Sequence, residues 1–370
     1  MGRRRRRDEK LDPSRASIAI VGCGLAGLST ALSLQQAGFQ NIVIYERDES
    51  FQARKEGYGM TLTYNPKGVL AQLGVLEEVA VSDCPSRFHY LLQAPEGKLL
   101  GYFGNAFSEG RGVGQRGNLR VPRQQLRRIL LDKLCSQKTC VKWNHSLMDV
   151  RYREKEADIS TAPNRPVELY FANGTMAHAD VLVAADGWRS NTVNRILKNA
   201  PQPRSLGVRI IVGLASGVDH PLVREGGFYT LAPGQRLFVM PFRGTALDKD
   251  VSQRQTMWQL SFVQKPTIGL KNENGVDAND EYSYFRTPEE YWEQAFEFME
   301  KWHAPVPDLI KSTPVSTVWG TLLHDCDPWA LWKALQNAAS STELASRVVV
   351  VGDALHAMSP FKVRPPDKCI

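Results

Sequence analysis

Residues 17–47 read SIAIVGCGLAGLSTALSLQQAGFQNIVIYER, and no other stretch limits the possible folds so strongly. Ser17 to Val21 is a short apolar run with the length and β-branched content of a buried parallel strand. Gly22, Gly24 and Gly27 follow in the spacing G-x-G-x-x-G. Leu25, Ala26, Leu28, Ala31, Leu32 and Leu34 then recur at helical intervals until Gly38 closes the helix. A second apolar run, Ile42 to Tyr45, ends in Glu46.

Each glycine in this spacing has a physical task. Gly22 permits a tight turn, Gly24 lets the backbone approach a pyrophosphate, and Gly27 lets helix and strand pack closely. The free N–H groups and positive dipole end of the helix then face the phosphates. Glu46 stands 24 residues after Gly22, where a carboxylate accepts hydrogen bonds from an adenosine ribose. Strand, turn, helix, second strand and terminal acid together predict a dinucleotide site. Gly112, Gly114 and Gly117 (GVGQRG) repeat the spacing, but FSEGR precedes them and no helical pattern begins before Pro122. Without those flanks the glycines read as a loop.

The 370 residues supply enough chain for two domains or one large discontinuous one. With 42% hydrophobic and 23% charged residues the composition is that of a globular protein. Residues 1–10 carry six of the cations and two of the anions behind the net charge of +7, so the remainder carries only +3. That is too little to argue for nucleic acid. Residues 1–16 read as a disordered basic leader with no apolar stretch for secretion. No window reaches a spanning length of about 20 apolar residues. The cysteines (23, 84, 135, 140, 326 and 369) include no C-x-x-C. They suit reduced thiols and a cytoplasmic location, with no metal site.

Further along, LRVPRQQLRRILLDKL reads as a helix with Leu126, Ile129, Leu130, Leu131 and Leu134 on its apolar side. Arg127 and Arg128 make that helix basic. HADVLVAADGWRS places a buried strand before an Asp-Gly turn at 186–187, and RVVVVGDALHAMSP places another before Gly352-Asp353. Residues 205–265 alternate strand-like runs with Gly and Pro, the pattern of a mostly antiparallel sheet. YWEQAFEFMEKWH reads as an amphipathic helix stopped by Pro305. The predicted fold is α/β. A discontinuous Rossmann-like nucleotide domain spans 17–84, 115–204 and 345–370. An antiparallel β-sheet substrate domain spans 85–114 and 205–344.

GCGLAG with Glu46, DGWRS at 186–190 and GDALHAMSP at 352–360 stand in the order found in the FAD-dependent aromatic hydroxylases, the group A flavoprotein monooxygenases, and about residues 17–362 resemble that family. From the residues alone, a strand ending in Gly-Asp sets a carboxylate at a carboxyl edge, where α/β sheets bind ligands. It could equally cap the next helix. The resemblance implies that Asp353, next to Gly352, contacts the ribityl chain, and that Asp186 and Gly187 stand near the pyrophosphate. The family's Arg three residues after Ser190 is replaced here by Val193. Arg123 matches an Arg that the family sets beside the flavin, Arg54 with the Gly57–Gly59 turn edges the ring system, and Pro360 lies against its reactive face. No residue is assigned as catalytic, and the lone His356 is not nominated.

The implied reaction uses NAD(P)H to reduce FAD, forms a C4a-hydroperoxyflavin with O₂, and transfers one oxygen to a small aromatic or similar electron-rich molecule. After SPFK the family expects Gly-Gln-Gly and a long helix, whereas this chain reads VRPPDKCI, and Pro365 with Pro366 forbids a regular helix there. Two alternatives stand beside this reading: a flavoprotein oxidoreductase on the same fold without oxygen insertion, and, on the basis of that departure, a truncated, inactive FAD-binding protein. Substrate, oligomeric state and the choice between NADPH and NADH are not legible in the sequence.

Overall fold

The computed structural model describes residues 12–54, 57–84, 88–104, 118–136, 139–153, 166–197, 199–224, 226–244, 250–264 and 287–358. The arginine run, the GVGQRG loop, Pro360 and the VRPPDKCI segment lie outside the described residues.

In chain order the strands begin with β1 (Ser17–Val21), β2 (Asn41–Tyr45), β3 (Gly59–Thr63), β4 (Phe88–Gln93) and β5 (Lys98–Gly104). Then come β6 (Asn118–Pro122), β7 (Cys140–Lys142), β8 (Leu147–Tyr152), β9 (Val167–Phe171), β10 (Met176–Ala179) and β11 (Val181–Ala184). The last are β12 (Arg204–Ser216), β13 (Gly227–Ala232), β14 (Gln235–Arg243), β15 (Gln255–Val263), β16 (Trp319–Asp325) and β17 (Val348–Val350). The chain divides into two compact units, the first of Met1–Arg54, Arg127–Arg204 and His324–Ile370, the second of Lys55–Leu126 and Ser205–Leu323.

The first unit is built on a sheet of order β17-β11-β1-β2-β7 whose pairs are all parallel. Its central strand, β1, is buried at every position, which is why that run carries no alternation. The helix Leu25–Gln36 buries Gly27, Leu28, Ala31 and Leu32. A three-stranded antiparallel sheet, β10-β9-β8, adds a second core in which Val150, Val167, Leu169 and Phe171 pack with Ala19, Val21 and Tyr45. A third core joins Ala184, Val193, Leu197 and Val350 to Leu331 of the helix Pro328–Ser341. This is the α/β, Rossmann-like architecture expected.

The second unit is built on a seven-stranded sheet of order β16-β12-β15-β14-β13-β4-β5. The pairs β12–β15, β14–β15, β13–β14 and β4–β5 are antiparallel, and β13–β4 is parallel. One face is closed by the helices Pro288–Met299 and Val306–Lys311, whose Tyr291, Ala295, Met299, Leu309 and Ile310 pack on Trp258, Phe228, Leu237 and Leu260. The first of these helices starts earlier than the sequence pattern suggests. Thr287 and Glu290 form a reciprocal capping box and Pro288 occupies the first turn, where its missing N–H is no loss. It ends at Met299, short of Pro305.

Candidate functional site

The site predicted from the first glycines lies within the first unit and is built from the ends of its parallel strands. β1 ends at Val21, and Gly22 turns the chain with φ of +106°, in the left-handed region that favours glycine. A Cβ on Gly22 would stand 2.3 Å from the Ala185 carbonyl oxygen, and one on Gly27 would stand 2.0 Å from that of Gly22. The helix start is thus pressed against the turn and the adjoining strand end. Gly24 differs: a Cβ there would meet nothing within 4 Å. Gly24 is the N-cap and offers no side-chain cap, so the first-turn N–H groups face open space without intrahelical acceptors.

Beneath this turn lies a buried charged cluster. Glu46 is 2% exposed. Its Oε2 accepts the Cys23 N–H at 2.7 Å, and its Oε1 accepts from the Asp48 N–H at 3.2 Å and Arg54 Nη2 at 3.3 Å. Arg54 also donates from Nε to Asp48. The two acids reinforce the Arg54 charge: burial opposes it, but the hydrogen bond to Asp48 and the field of Glu46 outweigh that opposition and hold its pKa above the ordinary value. Cys23 is fully buried, and burial pushes its thiol up to about 11, so it is an inert part of the turn.

Arg127, which the sequence analysis did not single out, is 0% exposed. Its Nε donates to the Cys23 carbonyl at 2.7 Å, and its guanidinium lies 4.8 Å from the Phe51 ring centre and 5.8 Å from that of Trp143. Burial lowers its pKa, with the nearby Arg54 charge adding to the effect while Cys23 and Glu46 oppose it. A signal was present: Arg127 stands four and seven residues before the buried Leu131 and Leu134, hence on the apolar face of its helix. The neighbouring Arg128 stacks over Phe51 at 3.6 Å.

The two later motifs join the same strand ends. Gly352 has φ of +62°, and its Cβ would stand 2.5 Å from that of Ala26 in the first turn of Leu25–Gln36. The third motif therefore sits against the helix start of the first. Gly352 takes the N-cap place of the helix Asp353–His356, so Asp353 is not the cap. Its side chain is exposed, and no hydrogen bond among the described residues engages its carboxylate. Asp186 follows Ala185 next to Gly22. Its carboxylate is turned onto its own loop, accepting from Ser190 Oγ at 2.5 Å and from Thr192 N and Oγ1 at 3.1 and 3.0 Å. Gly187 has φ of +86° with open space around it. Arg123 belongs, with the Gly57–Gly59 turn, to the second unit, where its N–H donates to the Tyr58 carbonyl at 3.0 Å and Gly57 approaches its side chain.

These residues fit a dinucleotide. An uncapped helix start opens onto space that a single Cβ on Gly24 would enter. Close-packed glycines on either side hold that space open, and the uncommitted carboxylate of Asp353 stands beside it, able to accept from hydroxyl groups. Nothing in the set suits a metal: no cluster of His, Cys, Asp or Glu with metal-holding geometry occurs among the described residues. Nor is any helix among them long and apolar enough to cross a membrane.

Comparison with known proteins agrees. The model of a family described as FAD binding domain matches residues 15–265. Over 349 residues the chain is 26% identical to the aurachin C monooxygenase/isomerase of Stigmatella aurantiaca, covering 93% of this chain and 75% of the relative. Over 351 residues it is 26% identical to the 6-hydroxynicotinate 3-monooxygenase of Pseudomonas fluorescens, covering 93% and 77%. The crystal structure of Klebsiella pneumoniae HpxO complexed with FAD and uric acid superposes with a TM-score of 0.66 at 23% identity, over 93% of this chain and 74% of that one, a likeness of fold. The chain belongs to the FAD binding domain family and is an FAD-dependent monooxygenase of the aromatic hydroxylase group.

Proposed function

We propose that this chain uses NAD(P)H and O₂ to hydroxylate a small aromatic or similarly electron-rich molecule, with FAD held by the first unit and the substrate by the second. The observation that carries the proposal is the meeting of the two glycine motifs: Gly352 packs on Ala26 at the open helix start, with Asp353 unengaged beside it. Two relatives named as monooxygenases support oxygen insertion over simple electron transfer. Bound FAD supplies the redox chemistry that activates O₂.

In this reading each residue of the chain has a binding or positioning task. The N–H groups after Gly24 bind pyrophosphate, and Gly22, Gly27 and Gly187 keep the backbone close to it. Glu46 orients the adenosine ribose with whatever acceptor capacity Cys23, Asp48 and Arg54 leave it. Asp353 accepts from ribityl hydroxyls. Asp186 holds the loop at the pyrophosphate, and Arg54 steadies Glu46. Scattered reduced cysteines suit a cytoplasmic location.

The test begins with the visible spectrum of the purified chain and an FAD titration. Absorption at about 370 and about 450 nm reports bound oxidised flavin. NADPH oxidation is then followed with a panel of phenols, and products are analysed for one added oxygen atom. NADPH consumption without an oxygenated product from any phenol would refute hydroxylation, and a colourless protein that takes up no FAD would refute the whole reading.

A further inference from the structure

The two edges of the seven-stranded sheet are finished differently. β16 closes one edge, and none of its residues is exposed. β5 closes the other, and no strand pairs with its outer side among the described residues. A strand left that way presents a row of backbone donors and acceptors to any chain able to add to it. Folded proteins protect such edges with charge, proline or a bulge. Lys98–Gly104 reads KLLGYFG: it has no proline, and its one charge, Lys98, stands at its first position.

The side chains along this edge are apolar and uncovered. Leu99 and Leu100 are each 52% exposed and Tyr102 is 50% exposed, with only Gly101 between them. The register with β4 explains this. Leu92 pairs with Leu99 and Leu91 with Gly101, which leaves Leu100 as an extra residue in a bulge. A bulge bends its strand, yet here the inserted residue adds to the apolar surface instead of interrupting it. Leu92 and Tyr90 belong to the core under the helices Pro288–Met299 and Val306–Lys311. Leu99 and Tyr102 are their cross-strand partners, and paired side chains share a face. The apolar layer of the core therefore continues onto β5 and emerges there into solvent.

We propose that β5 is a dimerisation edge, at which two copies of this chain join β5 to β5, antiparallel, about a two-fold axis at Leu100. The contrast between the sheet's edges selects a closed pair. β16 offers no exposed residue for a head-to-tail contact that would propagate into a filament, whereas β5 against β5 uses one patch on both copies and closes. Charge selects the direction. Parallel strands would set Lys98 beside the partner's Lys98. In the antiparallel arrangement Lys98 lies opposite the partner's Tyr102, whose ring face attracts a cation. Leu99 then lies opposite the partner's Gly101, which leaves it room, and Leu100 meets the partner's Leu100 on the axis. The three exposed side chains offer roughly 300 Å² in each copy. Over two copies that is about half of the ~1,200 Å² at the lower end of stable interfaces. The backbone of the seven-residue strand and its flanks supply the rest, so the dimer forms reversibly at micromolar concentration.

The test is analytical ultracentrifugation of the purified full chain from about 1 to about 100 µM. The average mass should rise from monomer toward dimer over this range and no further. Leu100→Lys sets two cations on the axis and should weaken the dimer about tenfold or more, with an unchanged circular dichroism spectrum. Tyr102→Lys should do the same by facing Lys98 with a cation, and Lys98→Glu added to Tyr102→Lys should restore the dimer. Hydrogen exchange should show residues 98–103 protected at high concentration and unprotected at low. A monomer at every concentration, assemblies that keep growing, or a dimer that L100K and Y102K leave intact would each overturn the proposal. So would a double variant that stays monomeric. Protection of residues 98–103 in the monomer would overturn it too, since another part of the same chain would then cover the edge.

Discussion

Replacing Arg127 with Met tests whether the fingerprint turn is held from below. Methionine keeps an unbranched stem and helix propensity but removes the donor to the Cys23 carbonyl, a 2.7 Å bond to a charged group. Such bonds contribute about 1.5–3 kcal/mol. Loss of the guanidinium over Phe51 and Trp143 removes about 0.5–1 kcal/mol more. Relief of burying a charge acts the other way, and Glu46 keeps Arg54 as its ion-pair partner. The net loss should be about 2–3 kcal/mol. Cys23 stands between Gly22 and Gly24, so much of that loss falls on the order of the turn itself. A share of about 1.4–2 kcal/mol corresponds to an FAD Kd raised about 10- to 30-fold. Flavin fluorescence titration of the apoprotein measures it, with thermal unfolding alongside. Arg127→Lys, which keeps the charge without the planar fork, should fall between the two. An R127M protein that binds FAD within about twofold of wild type and unfolds at the same temperature would refute the reasoning, as would one more stable than wild type.

Gly22→Ala and Gly24→Ala should part company. The first forces a Cβ to 2.3 Å from a backbone oxygen at φ of +106° and should destabilise the apoprotein by about 2 kcal/mol or more. The second meets open space, so apoprotein unfolding should be unchanged while FAD titration shows weaker binding. Gly352→Ala should weaken both, since its Cβ would stand 2.5 Å from Ala26 at φ of +62°. His89 makes the second unit acid-sensitive. Its folded pKa of about 4 lies below the ordinary 6.5, so the unfolded chain takes up the proton first. Stability should fall between about pH 6.5 and pH 4, by about 3 kcal/mol in all. Urea unfolding across that range should show the slope, and His89→Gln should remove it.

The nucleotide unit was legible because its signals are local. Strand, glycine turn, helix and terminal acid fall within thirty-one consecutive residues, and each constrains its neighbours. Arg127 was not, because a charge in a run of basic residues reads as solvated until the opposing Cys23 carbonyl is known to lie across from it. Glu46 was found, but not its bond to the Cys23 N–H, which depends on β1 and β2 ending side by side. The parallel pairing of β4 with β13 joins residues 89–93 to 227–231. Nothing in either strand's alternation indicates that partner, so strands there could be anticipated and their order could not.

The strand order β17-β11-β1-β2-β7 has a consequence for how the protein is made. β1 and β2 leave the ribosome first, yet the edge of β11 receives its partner only when Val348–Val350 has been synthesised. At about 5–20 residues per second, the interval between β2 and β17 is roughly 15–60 s. Throughout it the nascent sheet presents an apolar edge able to pair with another chain. The intervening unit, complete by Leu323, can fold in that time. Dependence on a chaperone during synthesis should therefore be concentrated in the cofactor-binding unit, and slowing translation before residue 348 should lower the yield of folded protein.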